Sequence, residues 1–486
     1  MVETLEWRRK SCYLPVMSLT TVRNTSAGAI RRLHADARAE IADDLSALRP
    51  GTGSRRVSWD RADLILALVL LAVAWVVYAA FALRLAHGQY DSKDNFGFDF
   101  DPDRNLKTFV GWPPDRQGFK HPFFVLLRAT VWPFEAIGLN GHQAAGLAMA
   151  SFGAGTVALV FAYLRACRVG RPEASALTLL YAVSCTPIFI SMIVDAYGPA
   201  AFTIVLTWLV ARLRLDDPGR WRLGRYGVAL AVFGITLTNV VQVAIAEALV
   251  LWRHFGIRAA IGRLIGFGLI AAALALVLTI VIWPDGLLGV LRNPVYAAKE
   301  VYWLQTKGER TGLGQLLVTF FGFSFVAPHF GIFRLPEGID MVDFRTLSFG
   351  LAGWIALLGW LGFWAVGAVA AFRHPVYRPI AVAIAGALAF NLMLHMHYQF
   401  RGSLFIYAGH LHFLVFALGA GLAPWLADAR PRRRWAYVAC VLALAVCAGV
   451  NNFPRAASFV TRFDNPAVHE GPCEAPCVNL GAAPSG

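Results

Sequence analysis

The chain has 486 residues, of which 57% are hydrophobic and only 15% are charged. A soluble domain is about 45–50% apolar and about 25% charged, so this composition excludes an ordinary soluble protein and predicts a polytopic membrane protein. The formal net charge is +14, but the Lys and Arg residues cluster in short segments between apolar runs. That distribution is typical of cytosolic loops, and it argues for membrane lipids and against nucleic acid as a partner.

Residues 1–60 are polar and basic, and we expect them to form a cytosolic N-terminal tail of a plasma (inner) membrane protein. The first crossing is predicted at about 64–86. A polar loop at about 87–141 then lies on the outer face. Inside it, the apolar run 122–139 is interrupted by Arg128, Pro133 and Glu135; this pattern predicts a helix that lies on the membrane surface without crossing.

The other crossings are apolar runs that have arginines next to one end. They are predicted at about 142–164, 174–194, 197–213, 264–283, 347–372, 378–396, 404–427 and 435–450. The run 226–252 contains Asn239 and Glu247 and is too long for one helix, so two short or re-entrant helices with a turn near Asn239 are predicted.

The predicted fold class is therefore an all-α polytopic membrane protein with about eleven transmembrane helices. The membrane domain covers 61–452, with a second outer loop at about 284–346. Residues 453–486 are expected to form an outer C-terminal tail, in which Cys473 and Cys477 can form a local disulfide if that side is oxidising.

The first outer loop carries the densest group of acidic residues, which are Asp91, Asp94, Asp99, Asp101 and Asp103. A carboxylate at a membrane surface can act as a general base towards a hydroxyl. It can also bind a divalent cation such as Mg²⁺ or Mn²⁺ beside a phosphate. Asp99-Phe100-Asp101 has the DxD form used in metal-dependent sugar transfer, but solvated acidic loops have such spacings too. The spacing alone is compatible with three roles for these acidic residues: a general base, a metal ligand, or a solvated surface that keeps the loop soluble.

Further polar groups are predicted on the same outer face. Lys120 and His121 either contact a lipid phosphate or begin a helix with a lysine that extends to the interface. Asp195, at the outer end of a crossing, is either a functional acid or a helix N-cap. His395, His397 and Arg401 belong to a polar turn. The two histidines can bind a metal, although the spacing fixes no third ligand, and the Arg401 guanidinium suits a phosphate. Slightly further on, His410 and His412 lie within an apolar run, where they either face a cavity or form hydrogen bonds within the bundle.

The sequence contains no P-loop, Rossmann fingerprint or zinc motif, so nothing suggests that nucleotide hydrolysis supplies energy. A membrane enzyme of this kind needs an activated donor that is already in the bilayer. A polyprenyl-phosphate-linked sugar meets that need.

Three short motifs occur in the order typical of one enzyme class. Phe96-Gly97-Phe98-Asp99, Lys120-His121-Pro122-Phe123-Phe124 and Asp195-Ala196-Tyr197, together with the predicted topology of about residues 60–215, resemble the GT-C class of integral-membrane glycosyltransferases, of the mannosyl- or arabinosyltransferase type. The resemblance implies an inverting transfer of a sugar from a polyprenyl-phosphate donor to a glycolipid, glycan or protein acceptor.

The resemblance also implies roles for individual residues. Asp99, or Asp101, would deprotonate the acceptor hydroxyl, and Asp195 would orient the acceptor or assist the base. The lipid phosphate would be held by Lys120, His121, His397 and Arg401. The resemblance requires no cofactor, and it is compatible with transfer either with or without a divalent cation.

Other functional classes are compatible with the same sequence. A transporter or flippase of lipid-linked glycans predicts ionisable residues deep within several helices, and Asn239 and Glu247 are its main support. A polysaccharide polymerase or ligase also combines outer loops with many helices. In a non-catalytic assembly protein, the acidic loop would be only a solvated surface.

Overall fold

The computed structural model describes residues 59–87, 97–98, 100–110, 121–282, 312–334, 340–344, 346–397, 404–426 and 429–463. Within these ranges eight helices are long and apolar enough to cross a membrane, or nine if one bent pair counts as a span. The chain is therefore an all-α polytopic membrane protein, as its composition predicts. The count of about eleven crossings is not confirmed by the described residues.

The first half of the chain contains the helices from residue 61 to residue 216. Its helices are α1 (Arg61–His87), α2 (Pro102–Val110), a 3-10 helix (Phe124–Thr130), α3 (Trp132–Ala136), α4 (Gly141–Ala166), α5 (Arg171–Ala182), α6 (Cys185–Met192) and α7 (Tyr197–Asp216). The segment predicted to lie on the interface at 122–139 contains only the 3-10 helix and α3. Both are too short to cross a hydrocarbon core of about 30 Å.

The second half contains the remaining helices and one small sheet. They are α8 (Gly224–Ile235), a 3-10 turn (Leu237–Asn239), α9 (Val240–Ile282), α10 (Leu313–Leu317) with a π-helical turn (Val318–Phe323), α11 (Leu351–Arg373), α12 (Arg378–His397), α13 (Leu404–Gly419) with a 3-10 turn (Ala420–Leu426), and α14 (Pro431–Phe463). Strands β1 (Gly331–Arg334) and β2 (Asp340–Asp343) pair antiparallel, with Gly331 opposite Asp343. α14 continues to Phe463, beyond the boundary predicted at residue 452.

Ion pairs join several helix ends at one end of the bundle. Asp63, in the first turn of α1, accepts hydrogen bonds from Arg165 Nε at 2.8 Å and from Arg171 Nε at 2.9 Å. Glu173 accepts one from Arg434 Nε at 2.6 Å. These contacts bring together the starts of α1, α5 and α14 and the end of α4. We call this end of the bundle the arginine face.

The opposite end of the bundle carries Asp195. α7 begins two residues later, at Tyr197, and runs for 20 residues, or about 30 Å. Its other end returns to the arginine face, because Asp216 lies 4.0 Å from Arg168, just beyond α4. We call the end with Asp195 the aspartate face.

α5 and α6 form one span that bends by 59°. The bend interrupts the helical hydrogen bonds, and a backbone group without a partner is costly inside a membrane. Cys185 N and Thr186 N donate to the carbonyl groups of Phe325 and Ser324 at 2.9 and 3.0 Å. Asn452, which is fully buried in α14, donates to Val183 O at 2.8 Å. The broken span is thereby fixed by the rest of the bundle, and α6 leads the chain to Asp195.

α8 and the first arm of α9, residues 240–255, correspond to the two short helices predicted for 226–252, and the break at residues 236–239 confirms the turn near Asn239. α8 is 12 residues long, about 18 Å, and cannot cross the hydrocarbon core alone. This short pair accounts for part of the shortfall in the count of crossings.

α9 reverses direction at Gly256, which has φ 75° and ψ 167°. Arg225 Nη1 donates to Glu247 Oε1 at 2.6 Å, and Arg225 Cζ lies 5.3 Å from the centroid of the Phe267 ring. A straight helix would separate Glu247 and Phe267 by about 30 Å. Residues 240–255 and 257–282 therefore form a helical hairpin, consistent with a separate helix predicted at about 264–283.

Candidate active site

Two aromatic side chains of the acidic loop, Phe98 and Phe100, are anchored in the helix bundle. Phe98 and Phe100 are both 0% exposed. The Phe98 ring has centroid distances of 4.6 to 5.6 Å to the rings of Phe189, Phe344, Phe405 and Phe459. Val342 N also donates to Gly97 O at 2.8 Å, which connects the two long polar segments predicted at about 87–141 and 284–346. Aromatic pairs add about 0.5–1.5 kcal/mol each beyond their buried area, so this segment of the loop is part of the core.

The anchored loop brings Asp101 to Asp195, two candidates that are 94 residues apart in the sequence. Asp195 Oδ2 accepts a hydrogen bond from Asp101 N at 2.9 Å, and Asp195 Oδ1 accepts one from Ala196 N at 2.5 Å. Asp195 is only 5% exposed, whereas Asp101 is partly exposed. The Asp195 carboxylate thus fixes the backbone position of Asp101. It joins the acidic loop to the start of α7.

His121 is attached to the end of α8. Its Nδ1 contacts the carbonyl oxygen of Ile235, and Phe123 N donates to Gly234 O at 2.9 Å. Because a carbonyl oxygen can only accept, His121 carries a proton on Nδ1 in this contact. The chain just before the 3-10 helix is therefore held against a helix end more than a hundred residues later.

α2 links the Asp101 and His121 regions. Asp101 immediately precedes α2, and Phe109 near its end packs on Phe124 with a centroid distance of 4.8 Å. On its exposed side, Lys107 pairs with Asp103 at 2.6 Å. A helix of nine residues is about 13 Å long. Asp101 and the His121 segment therefore belong to one packed unit at the aspartate face.

Two histidines that sequence reasoning did not include in the site lie near Tyr197. The His410 ring lies 5.4 Å from the Tyr197 ring, and His395 stacks on Tyr407 at 4.5 Å. Tyr407 in turn lies 6.1 Å from Tyr197. His410 is buried, and its Nδ1 has no hydrogen-bond partner among the described residues. The available signal was the spacing of Tyr407 and His410, which puts both on one side of a helix.

His412 lies elsewhere in the bundle. Its Nδ1 is 3.2 Å from Ser324 Oγ, and its ring stacks on Tyr181 at 5.4 Å. It therefore forms a hydrogen bond within the bundle, as one of its two sequence interpretations expects.

Glu247 has partners that its position in an apolar run did not indicate. It accepts a hydrogen bond from Arg225 Nη1 at 2.6 Å and forms two hydrogen bonds with Arg214, one of them at 3.2 Å. All three side chains are nearly fully buried. A buried charge is strongly destabilising when it is left unpaired, and here the carboxylate is matched by two guanidinium groups. Its pairing explains why an acid is tolerated there.

Several predicted site residues lie outside the described part of the chain. They are Asp99, Lys120 and Arg401, together with Asp91 and Asp94 of the acidic loop and Cys473 and Cys477 of the tail. His397 ends α12, and its side-chain contacts also lie outside the described part. Among the residues that are described, no group of three His, Cys, Asp or Glu side chains has the arrangement of a metal site.

The described arrangement suits proton transfer next to a membrane. It places a partly exposed carboxylate, Asp101, at the end of a bundle, where a buried acid and aromatic side chains fix its position. A carboxylate held in this way can accept a proton from a hydroxyl group that reaches it. Comparison of the chain with models of known protein families gives no match, and comparison with curated proteins gives none either.

Proposed function

We propose that the protein is a membrane glycosyltransferase that transfers a sugar from a polyprenyl-phosphate-linked donor to an acceptor hydroxyl. The reaction takes place at the aspartate face, which we assign to the outer side of the plasma (inner) membrane. The observation that carries the proposal is the hydrogen bond from Asp101 N to Asp195 Oδ2. It joins the Asp195 motif to the acidic loop two residues after the motif at 96–99, and the motif at 120–124 is packed nearby through Phe109 and Phe124.

The proposed reaction requires a base and a site for an anionic leaving group. Asp101, or Asp99, takes the proton from the acceptor hydroxyl, whose oxygen then attacks the anomeric carbon of the donor sugar. The bond between that carbon and the phosphate oxygen breaks, and the lipid phosphate leaves as an anion. Donors and cations near this oxygen stabilise its developing charge; we assign this role to Lys120, His121, His397 and Arg401.

Asp195 acts as a positioning residue in this proposal. Both of its oxygens accept backbone hydrogen bonds, one of them from Asp101, so its own carboxylate is engaged in holding the loop. Asp99 and Asp101 also suit a Mg²⁺ or Mn²⁺ ion beside the phosphate. Transfer that is unchanged in EDTA would assign the two residues to the base role alone.

The test is complementation of a strain from which the gene is deleted. Envelope glycolipids and glycans are profiled by mass spectrometry after expression of wild type, Asp101→Asn, Asp99→Asn or Asp103→Asn at equal protein levels. We expect Asp101→Asn to reduce transfer by at least about 100-fold, because general bases contribute about 10²–10⁴-fold. Asp103→Asn is the matched control in the same loop, and we expect nearly full transfer, because Asp103 pairs with Lys107 at the surface.

Variants of Asp195 distinguish the catalytic base from the residue that positions it. Asp195→Asn keeps an oxygen that accepts from Asp101 N, so it should retain more transfer than Asp195→Ala, which removes the acceptor. Full transfer by both Asp101→Asn and Asp99→Asn would remove the catalytic role of the acidic loop.

The same profile distinguishes the transferase from a flippase or polymerase. A transferase defect leaves a glycan or glycolipid that lacks one sugar, whereas a transport or polymerisation defect accumulates a complete lipid-linked precursor. Asn239 and Glu247 were the main support for transport, and the pairing of Glu247 with Arg214 and Arg225 gives Glu247 a structural role instead.

A further inference from the structure

The tip of the α9 hairpin, residues 252–263, combines exposed arginines with exposed apolar side chains. Arg253 and Arg258 are exposed on either side of the reversal at Gly256. Trp252 is 60% exposed and Ile257 is 65% exposed. Glu247 pairs with Arg214 at the end of α7 and with Arg225 at the start of α8. Gly256 follows nine helical residues later, so the tip extends about 13 Å beyond these ion pairs.

The charges around this tip are strongly unbalanced. Residues 212–263 contain eight arginines and only three acidic residues. Those acids are already engaged: Asp216 pairs with Arg212 at 3.1 Å, Glu247 pairs with Arg214 and Arg225, and Asp217 Oδ1 accepts from Gly219 N at 3.0 Å. Among the described residues, neither Arg253 nor Arg258 has a carboxylate within ion-pair distance.

We infer that the tip of the α9 hairpin binds the headgroups of anionic phospholipids at the arginine face. A guanidinium group donates two parallel hydrogen bonds to a phosphate, and basic residues close to an anionic bilayer surface are attracted to it. Trp252 and Ile257 supply apolar surface next to these charges, which is the combination found in segments that insert at a membrane interface. Uncharged or zwitterionic lipids match the apolar side chains but leave the positive charge unbalanced.

This site is independent of the proposed transfer reaction. It lies at the opposite end of the bundle from Asp101 and uses none of the residues assigned to the reaction. Failure of the lipid experiment therefore leaves the transferase proposal unchanged. Failure of the complementation experiment likewise leaves the lipid-binding inference unchanged.

The experiment uses the full chain, purified in detergent and stripped of lipid. Phosphatidylglycerol or phosphatidylcholine is titrated, and bound lipid is counted by native mass spectrometry. We expect Arg253→Gln combined with Arg258→Gln to weaken phosphatidylglycerol binding about tenfold or more, since each arginine contributes on the order of fivefold near an anionic surface. Phosphatidylcholine binding should not change.

The control is Lys107→Gln, which removes an exposed positive charge at the aspartate face. We expect phosphatidylglycerol affinity within about twofold of wild type, because this charge lies at the opposite end of the bundle. A loss in the control equal to that in the hairpin variant, or no loss in the hairpin variant, would overturn the inference. Arg253→Lys combined with Arg258→Lys keeps both charges and should bind within about threefold of wild type; a loss as large as that of the glutamine pair would also overturn it.

Discussion

At the scale of single residues, the polar groups inside this bundle are explained by partners that are far away in sequence. Glu247 is paired with Arg214 and Arg225, and Asp195 accepts a hydrogen bond from Asp101. An intramembrane acid is by default a candidate functional residue. Here the contacts distinguish Glu247, whose charge is balanced within the bundle, from Asp195, which holds a partly exposed loop acid in place.

His374, in the turn between α11 and α12, predicts a dependence of stability on pH. Its Nδ1 accepts a hydrogen bond from Tyr377 N at 3.1 Å, and burial lowers the pKa of His374 below its ordinary value of 6.5. The unfolded chain therefore takes up the proton more readily than the folded chain. The stability that this contact provides is fully present above about pH 6.5 and is lost as the pH falls through the lowered pKa.

The measurement is the thermal unfolding midpoint in detergent between pH 5 and pH 8. We expect His374→Asn to show a weaker decline at low pH than wild type, because an amide oxygen keeps the acceptor without titrating. His374→Leu should be less stable than wild type at pH 8 and approach it at pH 5. Identical pH profiles for wild type and His374→Asn would refute the role of this histidine.

At the scale of elements, close helix contacts depend on small residues. A Cβ atom placed on Gly367 of α11 would lie 1.7 Å from Gly419 O of α13, so the two backbones are nearly in contact. Such approaches are typical of helix packing in membranes, where small residues allow van der Waals contact. They also place α13, with Tyr407 and His410, against the rest of the bundle.

Gly367→Ala should therefore separate α11 from α13 and lower the free energy of unfolding by about 2 kcal/mol or more, as overpacking does in other cores. Gly362→Ala is the matched control on the same helix, since a Cβ there would have no neighbour within 4 Å. We expect it to be neutral or to stabilise by up to about 1 kcal/mol, because alanine favours the helix over glycine. Unfolding titrations in mixed micelles measure both variants, and equal effects would contradict the packing argument.

At the scale of the whole molecule, the bundle has two chemically different ends. One carries the ion pairs of Asp63 and Glu173 with arginines, and the other carries Asp101 and Asp195. Positive residues near membrane helices favour the cytosolic side. The proposed orientation therefore puts the arginine face in the cytosol and the candidate active site outside.

Single cysteines test this orientation. In a chain whose seven native cysteines have been replaced, we expect Lys107→Cys, at an exposed position of α2, to react with a membrane-impermeant maleimide in intact cells. Arg432→Cys should react only after the membrane is permeabilised. The reverse pattern would put Asp101 on the cytosolic side and exclude transfer at the outer face, and labelling of both positions from one side would contradict the two-ended arrangement.

The apolar runs of the sequence are sufficient to predict a helical chain that crosses the membrane several times, because a run of about 20 apolar residues has no other stable state in a bilayer. The sequence also indicated the break near Asn239, since polar side chains interrupt an overlong apolar run there.

The tertiary structure alone decided which polar groups meet. Asp101 with Asp195, His121 with Ile235, and Glu247 with two arginines are contacts between distant segments. Such pairings depend on how the helices pack, and local periodicity carries no information about them. The same reason explains why His395 and His410 were not assigned to the predicted site. The spacing puts His410 on one side of a helix with Tyr407, but only the packing of α7 against α13 brings Tyr197 to His410.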